Sequence, residues 1–194
     1  MQKLTRDLYA RDTLAVAQDL LGKYLVRVED GLTLRGRITE TEAYVGRVDK
    51  ACHAYGYKRT ARTQTLYEAP GTAYIYLIYG MYHCLNFVTE PAGEPCAVLL
   101  RAVEPVEGGE IMAWNRFGCG LAEMTAYQKK NFLNGPGKVC RAFGLTRAQN
   151  GLDLTGNELF VADGDEAVGH INVGKRVGID YAEEAADFPW RFWI

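Results

Sequence analysis

Four tyrosines, Tyr74, Tyr76, Tyr79 and Tyr82, fall within nine residues, and His83 and Asn86 follow at once. Upstream stands an acidic pair with a tyrosine of its own, Glu40-Thr-Glu42-Ala-Tyr44. Flat aromatic rings beside a carboxylate suit a site that grips a planar ring and does chemistry at its edge. An ordinary strand with a tyrosine-rich face explains the aromatics equally well, since pleated surfaces favour them. Arg101 interrupts the apolar run Ala97 to Val103. A charge inside such a run is costly to bury unless it is paired or functional, although an arginine at a strand end can reach solvent. Gly135-Pro136-Gly137 opens a predicted helix at Lys138. Exposed N–H groups there favour phosphate, and a plain tight turn is the simpler reading. Cys52-His53 and His83-Cys84 could offer mixed metal ligands. Neighbours on a strand point to opposite faces, so each pair supplies one ligand at most. No C-x-x-C pair occurs among the five cysteines, so buried free thiols are the expectation and no metal is.

These residues need a frame. Asp12-Thr13 predicts a helix start, with Leu14, Ala17, Leu20 and Leu21 forming a stripe that ends at Gly22. Lys23 to Val28 and Leu32 to Glu40 read as two strands joined by the turn Asp30-Gly31. Glu42 then lies just past a strand end, where functional side chains are often presented. Residues 45 to 72 read as a long polar and basic loop, functional or disordered. Ala73 to Tyr79 and Leu85 to Thr89 are strands, with Gly80 between them and a turn over Pro91 to Pro95. Pro105 to Trp114 and Leu121 to Leu133 are predicted helices, broken at Gly118-Cys-Gly120, and Lys138 to Phe143 is a third. Short strands are expected at Leu159 to Val161, Lys175 to Ile179 and Trp190 to Ile194. The pattern predicts one α+β domain over residues 1–194 with a mostly antiparallel sheet.

At 194 residues the chain is long enough for a full core, and 48% apolar with 24% charged residues is globular composition. No apolar run reaches membrane-spanning length. The opening Met1-Gln-Lys-Leu-Thr-Arg-Asp lacks an apolar secretion core, so a cytoplasmic protein with no membrane partner is expected. Net charge is −2, yet the charges segregate. Residues 47 to 62 carry Arg47, Lys50, Lys58, Arg59 and Arg62 against Asp49 alone. Residues 116 to 147 carry Arg116, Lys129, Lys130, Lys138, Arg141 and Arg147 against Glu123 alone, whereas residues 153 to 187 are acidic. A basic face would admit a polyanion; a mixed solvated surface is the alternative.

With its elements placed, the chain resembles the alkyladenine (3-methyladenine) DNA glycosylase family. The matching stretches run in order from Leu34-Arg-Gly-Arg-Ile-Thr-Glu-Thr-Glu42-Ala-Tyr44-Val-Gly46 through His53 to Pro70-Gly-Thr-Ala-Tyr-Ile-Tyr-Leu-Ile-Tyr79-Gly-Met-Tyr82 and Asn86. They continue with Val98-Leu-Leu-Arg101-Ala-Val-Glu-Pro105, Asn134-Gly-Pro-Gly-Lys138, Arg176-Val-Gly-Ile179 and Pro189-Trp-Arg-Phe192. The resemblance spans nearly the whole chain. It implies a curved, mostly antiparallel sheet with flanking helices, like the formyltransferase C-terminal domain. It also implies excision of alkylated or deaminated purines from duplex DNA, with 3-methyladenine, 7-methylguanine, hypoxanthine and ethenoadenine as the lesions.

The resemblance further implies roles. Glu42 matches the general base that activates a water, and Arg101 and the Val177 carbonyl match the groups that hold it. Arg101 is also expected to keep Glu42 ionised. Tyr44 and Tyr76 match the rings that sandwich the flipped base, His53 a contact to the purine edge, and Asn86 a residue that excludes guanine. Tyr79, Met81 and Tyr82 match the wedge that fills the gap in the helix. Arg59, Arg62 and Lys138 are expected at phosphates. No cofactor, no metal and no lysine nucleophile are implied, and a monomer acting on damaged double-stranded DNA is expected. A non-catalytic nucleic-acid-binding module of the same fold is the alternative.

Overall fold

The computed structural model describes residues 2–165 and 167–194. Strands β1 (Tyr24–Glu29) and β2 (Leu32–Val45) form a hairpin. Its turn residues Asp30 and Gly31 both have positive φ, +49° and +77°, the twist that a two-residue hairpin needs. A second hairpin joins β3 (Ala73–Ile78) to β4 (Tyr82–Thr89), and β5 (Cys96–Glu107) lies between β4 and β2. With β6 (Leu159–Ala162) the sheet order is β3-β4-β5-β2-β1-β6. β8 (Arg191–Trp193) pairs with β2, and β7 (Asn172–Gly174) pairs with β8. Every one of these pairings is antiparallel.

Among the described residues five helices flank the sheet: α1 (Arg6–Tyr9), α2 (Thr13–Asp19), α3 (Gly109–Phe117), α4 (Ala126–Lys130) and α5 (Pro136–Ala142). Asp12 caps α2 by accepting the Ala15 N–H at 3.0 Å. α2 packs on β2 and β5, and α5 packs on β4 and β5. Alternation along the strands then divides the sheet into two faces. Ala43, Ala73, Ile75, Leu85, Phe87, Val98 and Leu100 join the helices in the main core. Tyr44, Tyr74, Tyr76, Val88 and Ala97 face the other way, toward Cys52, Ala54, Leu66 and Tyr67. No helix among the described residues is long and apolar enough to cross a membrane.

Several boundaries differ from the sequence expectations. β2 runs on to Val45, so Glu42 lies inside a strand and not past its end. Pro105 belongs to β5, opposite Gly36 at a register shift, where a missing N–H leaves no partner unsatisfied. The helix after it starts at Gly109. The long second helix shrinks to a 3₁₀ turn over Leu121–Glu123 and α4. Residues 175–179 form no strand. The 45–72 segment is not disordered: it makes 3₁₀ turns at Tyr55–Tyr57 and Gln64–Tyr67, and its apolar residues build the smaller core. Cys52, Cys84, Cys96 and Cys140 are buried free thiols, and Cys119 is half-buried.

Candidate active site

Glu42 is fully buried on the face of β2 away from the helices. Its carboxylate is held on three sides. The Tyr44 hydroxyl donates to Oε2 at 2.8 Å, the Val177 backbone N–H donates to Oε1 at 2.8 Å, and Arg101 Nη1 lies 3.3 Å from Oε2. The register between β2 and β5 slips around Glu40, and Arg101 has no direct partner across the ladder there. Such a bulge re-aims a side chain, here toward two carboxylates at once. Arg101 Nε donates to Glu40 Oε1 at 2.8 Å, and Arg191 Nε donates to the same oxygen at 2.6 Å. Arg101 is therefore no strand-end arginine reaching solvent. It is a paired charge within the sheet.

Burial pushes the Glu42 carboxyl above its usual value. Arg101, the Val177 N–H and Tyr44 pull it down, and Glu40 adds to the rise. Arg101 lowers the value as expected, but desolvation outweighs it, so the net direction is upward. Burial, and then the Glu42 charge, hold the Tyr44 hydroxyl well above its usual value, so it remains a donor.

Tyr44, Arg101 and Val177 all line one cleft of about 700 Å³. Glu42 lies behind that wall, one hydrogen bond from it. Tyr76, His53 and Asn86 line the same cleft. The His53 ring stands edge-on to Tyr76, with centroids 4.6 Å apart. His53 Nδ1 lies 3.1 Å from the Tyr74 hydroxyl, and Nε2 lies 3.2 Å from Arg62 Nη2. A guanidinium can only donate. Nε2 is thus the acceptor, and Nδ1 carries the proton. Burial, with help from Arg62, lowers the imidazole to about 4, so the ring is neutral. Asn86 is buried and spends its amide donors on the carbonyls of Tyr74 (3.1 Å) and Cys84 (3.3 Å).

The mouth of the cleft carries Tyr79 and Tyr82, and Met81 is exposed beside them. Tyr79 is 79% exposed and sits in the β3–β4 turn with φ +52°, next to Gly80 at +67°. The turn, not strand alternation, sets its direction. Of the three cations expected at phosphates, Lys138 lines the cleft and is steadied by Asn131 and Asn134. The Arg59 guanidinium carbon lies over the Tyr67 ring, 4.0 Å from its centroid. Arg62 is exposed, yet its guanidinium lines the cleft. It turns inward over the Tyr76 ring at 5.0 Å.

Sequence reasoning missed a second layer. Arg176 and Asp49 form a fully buried two-point pair, at 2.5 and 2.8 Å. Arg176 also donates to the Ala43 and Ala185 carbonyls, and its guanidinium packs between the Tyr44 and Trp190 rings. One arginine thus backs Tyr44 and fixes the chain next to Val177. The signal was a lone acid, Asp49, in an otherwise basic stretch. Arg116 and Tyr181 also line the cleft without having been singled out for it. Among the described residues no group of three or more His, Cys, Asp or Glu could hold a metal ion.

The sequence model of the methylpurine-DNA glycosylase (MPG) family matches residues 7–194. A Clostridium perfringens (strain SM101 / Type A) protein is 52% identical over 195 residues, covering 99% of this chain and 95% of its own. A protein of Alkaliphilus oremlandii (strain OhILAs) is 51% identical over 196 residues, covering 99% and 95%. One from Desulfitobacterium hafniense (strain Y51) is 50% identical over 194 residues, covering 100% and 96%. All three carry the provisional name 3-methyladenine DNA glycosylase. With its family model matched from residue 7 to its last residue, the chain belongs to the methylpurine-DNA glycosylase family.

Proposed function

We propose that this protein is a base-excision glycosylase that removes alkylated or deaminated purines, such as 3-methyladenine or hypoxanthine, from duplex DNA. A base inside a duplex is out of reach, so the nucleotide must leave the stack. Tyr79, with Met81 and Tyr82, would fill the gap, and the purine would lie between Tyr44 and Tyr76 with His53 at its edge. Neutral His53 presents no charge to the base. Glu42 would then take a proton from a water whose oxygen attacks C1′ of the deoxyribose. The N-glycosidic bond breaks, its electron pair leaves with the purine, and an abasic site remains. The carboxylate charge also opposes the positive charge growing on the sugar.

One observation carries the proposal. The buried carboxylate of Glu42 is held by Arg101, the Val177 N–H and Tyr44, and all three form the wall of a cleft lined by Tyr76 and His53. That is far more electrostatic arrangement than a binding groove needs. Asn86, buried in the same wall, would meet a guanine amino group on entry and so exclude the normal base.

One observation favours the alternative of a lesion-binding module without chemistry: Glu42 has no exposed surface. For catalysis, base binding would have to move the Tyr44 hydroxyl or Arg101 enough to admit a water. A single assay separates the two readings. A duplex with one hypoxanthine is incubated with the protein and then treated with alkali. Breakage at that position, lost by at least a hundredfold in Glu42→Gln, supports the glycosylase. Tight binding with no breakage supports the module.

A further inference from the structure

Arg62 is an uncompensated cation on the wall of the cleft that would receive the base. Its guanidinium carbon lies 5.0 Å from the centroid of the Tyr76 ring, and Nη2 is 3.2 Å from His53 Nε2. Two other arginines near the pocket are matched, whereas Arg116, which also lines it, forms no ion pair among the described residues. Arg101 has Glu40 and Glu42, and Arg176 has Asp49. Among the described residues Arg62 forms no ion pair. Its side-chain hydrogen bonds go to neutral groups, the His53 ring and the Tyr74 hydroxyl. A guanidinium on the face of a tyrosine is held by the ring quadrupole. That is the same attraction a cationic planar base would use. The arginine and such a base compete for one kind of interaction at one wall. If the arginine stays, it stands close enough to repel the base directly.

We infer that Arg62 is a specificity-determining residue, which sets the pocket against cationic purines relative to neutral ones. The inference rests on the glycosylase reading for the identity of the ligand. Alkylation at purine N7 or N3 places a positive charge on the ring, whereas deamination or an etheno bridge leaves it neutral. Two unit charges about 6 Å apart at an effective dielectric constant near 20 repel enough to change binding by about a hundredfold. Arg62 is itself exposed, so partial screening reduces the expected effect to roughly tenfold.

The test compares two duplexes, one with 7-methylguanine and one with hypoxanthine. Each damaged nucleotide carries a 2′-fluoro sugar that resists cleavage, and binding is measured below neutral pH, where 7-methylguanine is cationic. In Arg62→Gln the affinity ratio of the cationic to the neutral lesion should rise about tenfold. Arg62→Lys, which keeps the charge, should leave the ratio near that of the native protein. If Arg62→Gln weakens both duplexes by the same factor, Arg62 serves only the DNA backbone and the inference falls. The same holds if neither duplex is preferred over undamaged DNA. Base release is scored separately, with unmodified sugars. Release without a shift in ratio sinks this inference and leaves the glycosylase reading intact. A shifted ratio without release does the reverse.

Discussion

At the scale of single residues, the site sets burial against charge on Glu42. Desolvation raises its carboxyl pKa above the ordinary 4.5, and Arg101 is the largest influence holding it down. A general base works only when ionised. Base release should therefore be present at neutral pH and fall as the pH drops through the raised value, with the inflection above 4.5. Arg101→Gln removes the main influence that lowers the value, so the inflection should move further up. The whole acidic limb then shifts toward neutrality. His53 is lowered to about 4 and adds no inflection above that. A single-turnover pH profile of hypoxanthine release in the native and Arg101→Gln proteins checks both statements. An inflection in Arg101→Gln at the native position or below it would mean that the arginine does not act through Glu42.

At the scale of elements, what was legible in the sequence was what local chemistry dictates. Asp30-Gly31 marks the first hairpin because both residues tolerate positive φ. Alternation put Tyr74 and Tyr76 on one face because that period is intrinsic to a strand. The misread pieces depend on distant partners. Residues 175–179 look like a strand, yet the Val177 N–H goes to the Glu42 side chain and Gly178 takes φ +75°. Polar Glu40-Thr-Glu42 looks like a strand's end, but arginines from β5 and β8 receive both carboxylates. Arg176 and Asp49 are 127 residues apart, so their pairing leaves no local pattern. The β3–β4 turn shows the opposite case, a local rule broken. Tyr79 holds a left-handed conformation that costs an ordinary side chain about 1 kcal/mol, and asparagine less. Being 79% exposed, it recovers little of that by packing. Tyr79→Asn should hold its urea midpoint or gain up to about 1 kcal/mol in stability. It should also weaken capture of a lesion duplex by roughly tenfold or more through lost stacking. A variant that unfolds more readily than the native protein would show that Tyr79 is placed by packing and not by its task.

At the scale of the whole molecule, a net charge of −2 hides a division of labour among cations. Away from the cleft, several acids are matched by bases: Lys23 with Asp163, Lys50 with Glu183 and Glu184, Arg6 with Asp153, and Lys175 with Asp187. Arg62, Arg116 and Lys138 line the cleft, and none of them forms an ion pair among the described residues. Burial, with the nearby Arg116 charge, lowers the Lys138 ammonium below its usual value. An approaching phosphate would relieve that repulsion. The acidic total means that few cations carry the attraction to DNA, so each should be visible in the salt dependence. The logarithm of affinity falls with the logarithm of salt concentration by about 0.9 for each phosphate neutralised. Lys138→Gln removes one charge without disturbing the carboxylate of Glu42. It should lower that slope by about 1 and weaken damaged and undamaged duplexes alike, because a phosphate contact carries no information about the base. A titration of both duplexes across a range of salt concentrations measures the two quantities together. An unchanged slope would place Lys138 off the DNA path and reduce its bonds to Asn131 and Asn134 to scaffolding for the turn before α5.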